Sequence, residues 1–462
     1  MTQTAEILDN LAKPWHVQVR SSAALAGAVE EAAAKDDRQR EEDGREKPRR
    51  KPGLAGVPAS WAGETITLTP WELLHTLGRA LAVSRQGTGR GLAEHWGSLK
   101  YCQALEGGVT QFMALSREGT DPKRHYRTLQ SHELGKGFAL AVAERIVRRQ
   151  FPGHSVSAVD AEVVLQAGWV LTGKHVRRRD WVQLRPDFLL EAWRPGEPSK
   201  IVPLVCRGTH QKTAYAHKQL ASASAQAEAF HVGPWNTTSA LVTSTELLGQ
   251  GGVVVHVLQA PGTGALQVDP GDPAADADVG LRQENLFPQV LLAPAEGDQD
   301  AVYGGGFQVM PDDFAWFRRN VVRTSAAGLA AFTGSGALAA RYLTERQGRE
   351  NFEGFTHAGT GIVQDAEAEI RGARFLGTDH VFRLRGTRVE VFSGMAEDLF
   401  ACLSKGEVEQ YRRAAHAGTA LATARRARDR WGGPVSLRDD GSAMAIRALP
   451  ATGASGRTVR RS

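Results

Sequence analysis

The chain has 462 residues, 42% of them hydrophobic and 23% charged, an ordinary globular balance that excludes a disordered or fibrous protein and leaves room for two or three domains. Its net charge of +5, from 56 basic against 51 acidic residues, is compatible with an anionic partner without requiring one. Its three cysteines, Cys102, Cys206 and Cys402, lie far apart with no CxxC pair, which excludes a disulfide framework or a cysteine zinc site and leads us to expect a reducing, cytoplasmic setting.

In chain order, residues 1–58 are expected to form a helical segment over 23–34, followed by a charged, proline-containing linker over 36–52. That run cannot bury enough apolar area to offset its ordering entropy. Its basic end, Lys47-Pro48-Arg49-Arg50-Lys51, reads either as solvated linker or as a contact for nucleic acid. Residues 59–130 are helical in pattern with glycine interruptions. The glycine-rich stretch from Gly87 to Gly91 lacks the spacing and the Lys-Ser/Thr of a phosphate-binding loop and is read as a turn. The first residues show neither the basic n-region nor the apolar h-region of a secretory leader, so secretion is not expected.

Residues 131–261 are ordered like an α/β domain. A helix with apolar periodicity runs over 133–149. Strands are predicted at 161–170, 184–193 and 201–206, a helix at 212–230, and two more strands at 239–244 and 253–259. A Gly/Pro/Asp-rich linker over 262–306 then leads to a C-terminal α+β domain over 307–449. In that domain two hairpins are predicted, at 379–392 around Arg385-Gly386 and at 435–448 around Asp439-Asp440-Gly441. Residues 324–340 are too weakly apolar to span a bilayer, so no membrane is expected. Residues 450–462 read as a disordered tail.

The stretch Arg185-Pro186-Asp187-Phe188-Leu189-Leu190-Glu191, followed by Lys200-Ile201-Val202-Pro203-Leu204-Val205-Cys206-Arg207-Gly208-Thr209, together with the order helix, three strands, helix, two strands, resembles the PD-(D/E)xK nuclease superfamily. The resemblance implies a restriction-endonuclease-like mixed sheet flanked by helices, a Mg²⁺ cofactor if the site is catalytic, and carboxylates that hold that ion. It carries Glu133 on the first helix and Asp187 over as metal ligands. The sequence departs from the family where the second acidic residue and the lysine belong, since Val205 and Arg207 stand there. Valine cannot bind a metal, and an arginine stays protonated and is a poor proton carrier. Lys212 could supply an ammonium instead, and Glu191, four residues from Asp187 on the same strand face, could migrate into the site.

The candidate catalytic set is therefore Glu133, Asp187, Arg207 and Lys212. Arg177, Arg178 and Arg179, together with the helix residues Lys218, Gln219 and Gln226, are candidate contacts for nucleic acid, with an exposed loop and a solvated helix face as the plain alternatives. Arg425, Arg426, Arg428 and Arg430 crowd one helix end and either complement its dipole or touch nucleic acid. The expected function is association with nucleic acid, DNA foremost, on a nuclease-like scaffold with weak or lost cleavage, in genome maintenance, mobile-element biology or defence. The alternatives are an active Mg²⁺-dependent endonuclease with a rebuilt site and a non-catalytic protein-interaction module. No protein partner is indicated. Zinc chemistry and a serine nucleophile elbow lack their motifs.

Overall fold

The computed structural model describes residues 3–83, 95–108, 111–121, 123–167, 185–234, 237–249, 251–269, 271–282, 290–292, 302–304, 306–352, 365–418, 421 and 431–450. A mixed sheet of eight strands forms its centre. They are β1 (Trp15–Arg20), β2 (Ala55–Gly56), β3 (Thr65–Leu68), β4 (Ser155–Asp160), β5 (Phe188–Trp193), β6 (Lys200–Thr209), β7 (Ala240–Leu247) and β8 (Val253–Ala260). The order across the sheet is β3-β1-β8-β7-β6-β5-β4, with β2 added beside β8. Strands β4, β5 and β6 form an antiparallel meander, β7 lies parallel to β6, and β8 is antiparallel to β7.

A parallel step from β6 to β7 needs a crossover, and helix α6 (Thr213–Glu228) supplies it. The other covering helices are α1 (Gln3–Ala12), α2 (Ala23–Glu42), α3 (Pro70–Leu81), α4 (Arg124–Gln150) and the short α5 (Ala161–Gln166). Strand β6 is apolar on both sides because both its faces are covered. Val202, Leu204 and Cys206 pack in one cluster with Leu134 and Phe138 of α4. Val205 joins Leu220 and Ala221 of α6 and Leu25 and Val29 of α2 in another. The closest approach is glycine on glycine. A Cβ on Gly208 would lie 1.9 Å from the Ser131 carbonyl oxygen, and one on Gly135 would lie 2.9 Å from the Gly208 Cα.

The structure redraws several boundaries. The first 68 residues give three strands to the central sheet, and Leu8 and Leu11 of α1 are buried in its core. The expected linker is ordered. Helix α2 continues to Glu42; Arg50 then pairs with Asp36 and Asp37, while Arg49 and Lys51 reach the buried Glu228. Paired charges offset the low apolar content that made this run look unstructured. The strand expected at 161–170 is instead β4 at Ser155–Asp160 followed by helix α5, whose N-cap is Asp160. The β-branched Val163 and Val164 misled the reading, because tertiary burial overrides propensity. Part of the expected linker at 262–306 is packed too: Leu266 and Ala277 are fully buried.

The C-terminal part holds helices α7 (Phe314–Phe332), α8 (Glu397–Lys405) and α9 (Val408–Ala417) and a five-stranded antiparallel sheet. Its strands are β9 (Ala366–Ile370), β10 (Ala373–Leu384), β11 (Thr387–Ala396), β12 (Val435–Leu437) and β13 (Ser442–Ala448). Both expected hairpins are present, and the first turns through Arg385 and Gly386 at positive φ. This sheet shares its core with the central one. Leu384, Val389, Val391, Met444 and Ile446 pack in the same cluster as Trp71 and Phe138. No helix among the described residues is long and apolar enough to cross a membrane.

Candidate functional site

Strands β5 and β6 pair with Phe188 opposite Leu204, which sets Asp187, just before β5, against the end of β6. The Asp187 N–H donates to the Leu204 carbonyl at 3.0 Å. Its Oδ2 accepts from the Cys206 N–H at 2.8 Å and from Arg207 Nη1 at 3.1 Å. Asp187 and Arg207 therefore meet as an ion pair on adjacent strands, each side chain about one-fifth exposed (19% and 21%). Arg207 Nη1 also donates to the Cys206 carbonyl at 2.5 Å, which fixes the guanidinium over the strand end.

Glu133 is used differently. Its carboxylate accepts from Lys100 Nζ at 2.9 Å and from the Tyr101 hydroxyl at 2.6 Å, so it ties helix α4 to the short turn at Gly97–Tyr101. Lys212 is an exposed residue at the start of α6 and makes no ion pair with Asp187. Glu191 does not migrate toward Asp187. It is fully buried and held bidentately by Arg412 at 2.9 and 3.0 Å, with Ser199 donating at 2.6 Å. Gln219 is also structural: its amide donates to the Gly208 carbonyl at 3.0 Å and accepts from Ser244 at 2.7 Å. Lys218 is exposed and Gln226 half-buried. Arg177, Arg178, Arg179, Arg425, Arg426, Arg428, Arg430 and the glycine-rich stretch at 87–91 lie outside the described residues.

Asp187 opens into a cleft of about 900 Å³ between the sheet end and the segment that follows α2. Lys136, Asp160, Arg185 and Gln226 line it beside Asp187, with Arg40 and Arg50 on the far wall. Lys136 and Asp160 escaped the sequence reading. Lys136 falls one helical turn after His132 and three residues after Glu133, a spacing that could have flagged it; Asp160 was hidden by the misplaced strand. Burial pushes the Asp160 carboxyl up, opposed chiefly by the Lys136 charge. Burial, then Lys136, hold the His132 ring down, with Asp187 working the other way. The Cys206 thiol is pushed well up by burial and by Asp187, so it is not a nucleophile at neutral pH.

The residues carried over for Mg²⁺ do not fit that ion well. Both carboxylates are already engaged by cations, Glu133 by Lys100 and Asp187 by Arg207. Val205 is fully buried among apolar side chains. Among the described residues no group of three or more acidic, histidine or cysteine side chains could hold a metal. What the pair does is hold the Arg207 guanidinium against the Asp187 carboxylate, so that the two charges largely cancel beside the cleft. No family model, curated protein or solved structure significantly matches this chain.

Proposed function

We propose that the protein binds nucleic acid on a PD-(D/E)xK nuclease-like scaffold and cleaves phosphodiesters weakly or not at all. The observation that carries this reading is the Asp187–Arg207 ion pair beside a buried Val205: the cation that would serve a scissile phosphate instead neutralises the carboxylate that would hold the metal. The scaffold part of the reading is supported by the element sequence α4, β4-β5-β6, α6, β7-β8, with β7 parallel to β6 and the two helices on opposite faces. Work on foreign or mobile DNA or in genome maintenance follows from fold-level analogy alone.

The test is cleavage of plasmid and oligonucleotide DNA with Mg²⁺ and Mn²⁺, together with DNA binding across a salt series. The expected result is little or no cleavage and binding that weakens steeply with salt. Failure to bind at low salt would favour a protein-interaction module. Restoring Val205→Glu places a carboxylate in an apolar cluster, at a cost of several kcal/mol, so Arg207→Gln alone is the safer variant for releasing Asp187 from its cation.

One observation favours a second reading, an active enzyme with a rebuilt site. Asp160 and Lys136 line the same cleft as Asp187, which places two carboxylates and a flexible ammonium around one volume. Robust cleavage by the natural protein, abolished in Asp187→Ala, Asp160→Asn and Lys136→Met, would establish it in place of the inactive reading.

A further inference from the structure

Helix α4 begins with an overhang. Residues 123–129 are exposed throughout and carry Lys123, Arg124 and Arg127, with Tyr126 57% and Leu129 43% exposed. The helix is pinned just behind them, where Ser131 and Gly135 close on Gly208. The overhang therefore stands over the end of β6 and the turn into α6. That turn brings His210, Gln211 and Lys212, and the first turns of α6 add Tyr215, 40% exposed, and Lys218. The two elements meet at His210, whose ring is held below its usual pKa by burial first and by the Arg127 charge second.

Folding does not account for this surface. Lys123, Arg124, Arg127, Lys212 and Lys218 enter no ion pair among the described residues, whereas the cleft cations Arg40 and Arg50 are paired with Asp36. Neither α4 nor α6 has an acidic residue in its first turn, and each is preceded by a lysine that makes no side-chain cap. Positive charge at a helix N-terminus opposes the helix dipole, so helix stability is not what places these cations. Tyr126, whose ring lies 4.0 Å from that of His125 between centroids, and Tyr215 still leave apolar ring area uncovered.

We propose that this surface binds a single-stranded nucleic-acid segment, with phosphates against Lys123, Arg124, Arg127 and Lys212 and bases stacked on Tyr126 and Tyr215. Exposed rings among unpaired cations are what a single strand uses, since its bases offer free π-faces whatever their sequence. A duplex keeps those faces stacked inside, and an acidic peptide or anionic membrane engages the cations without calling for the exposed rings. The inference rests on the nucleic-acid reading above and deepens it: a strand held here runs past the Asp187–Arg207 pair at the end of β6.

The full chain is titrated against labelled oligo-dT and oligo-U of about 20 nucleotides and a duplex of the same length, a span that covers the usual site size. The variants are Tyr126→Ala with Tyr215→Ala, Arg124→Ala with Arg127→Ala, and the distant, exposed Arg349→Ala as control. Single strands should bind tighter than duplex. The tyrosine pair should cost about tenfold or more in affinity. The arginine pair should flatten the salt slope by about 1.4, from two lost single-strand phosphate contacts. The control should match the natural protein, and all variants should melt like it. Natural affinity that survives both pairs of substitutions overturns this surface but leaves the nucleic-acid reading standing. No binding by the natural protein at low salt sinks that reading itself. Preference for duplex, or equal binding of polyglutamate or anionic vesicles with the same sensitivity to the arginine pair, overturns the single-strand assignment.

Discussion

Glu191 lies within β5 with no exposed surface, and the guanidinium that meets it comes from α9, far along the chain. Burial alone would raise its carboxyl, and Arg412, Ser199 and Arg318 together outweigh burial to hold it below the usual range. The pair is stacked under Trp193, with the Arg412 guanidinium 4.0 Å from the ring centroid. Removing one partner leaves a buried charge uncompensated, so Glu191→Ala should cost about 3–5 kcal/mol, read by urea denaturation. Replacing both partners with apolar residues should recover much of that loss. His231 gives a pH dependence of definite sign. It is fully buried, and burial first and Lys51 second push its pKa down to about 4. An unfolded imidazole takes its proton near 6.5, so the unfolded state is protonated first as pH falls. The stability conferred by the neutral ring is whole above that value and lost on the way down to about 4, a change of roughly 3 kcal/mol. Denaturation midpoints over this window should fall more for the natural protein than for His231→Asn.

At the level of elements, the placement of α4 decides the geometry of the candidate site, and the Gly135–Gly208 contact decides α4. No side chain fits at Gly208, because its Cβ would sit 1.9 Å from a backbone oxygen that belongs to a helix. Gly208→Ala should therefore lift α4 from β6 and destabilise the protein by about 3 kcal/mol, and it should weaken nucleic-acid binding beyond what the stability loss explains. A melt and a binding titration on the same sample separate the two effects. The segment after α2 is the other element that shapes the cleft. Its charges looked like those of a solvated linker, yet Arg49 and Lys51 find the buried Glu228 only once α6 is in place.

The whole molecule is tied together by polar contacts as well as by its shared core. His75 of α3 bonds to Ser436 and Ser442 at 2.9 and 3.1 Å. Arg438 donates to both oxygens of Glu144 on α4 at 2.6 Å. The C-terminal sheet is thus not a free-standing domain. Calorimetry should show one cooperative transition with matching calorimetric and van't Hoff enthalpies, and a chain truncated before residue 307 should expose the apolar face that β11 and β13 cover and fail to fold.

The sequence alone was enough for most of what local pattern governs, the α5 segment apart. The continuous apolar runs of β5 to β8, the periodicity of α4 and α6 and the two C-terminal hairpins were all legible, because strand and helix periods are written along the chain. So was the meeting of Asp187 with Arg207, since β-pairing over a short connection leaves few registers. The lysine, arginine and tyrosine of the α4 overhang were equally open to view, but nothing local separates an exposed basic–aromatic turn from an ordinary helix start. Only the tertiary structure decided the fates of Glu133, Glu191 and Gln219. Each is polar and well placed in its own element, and each is taken by a partner distant in sequence: Lys100 and Tyr101, Arg412, and Ser244. It decided, too, that the charged segment after α2 is ordered and that β1 to β3 extend the central sheet. A buried charge is stabilised by whichever opposite charge the fold brings to it, and no pattern along the chain names that partner.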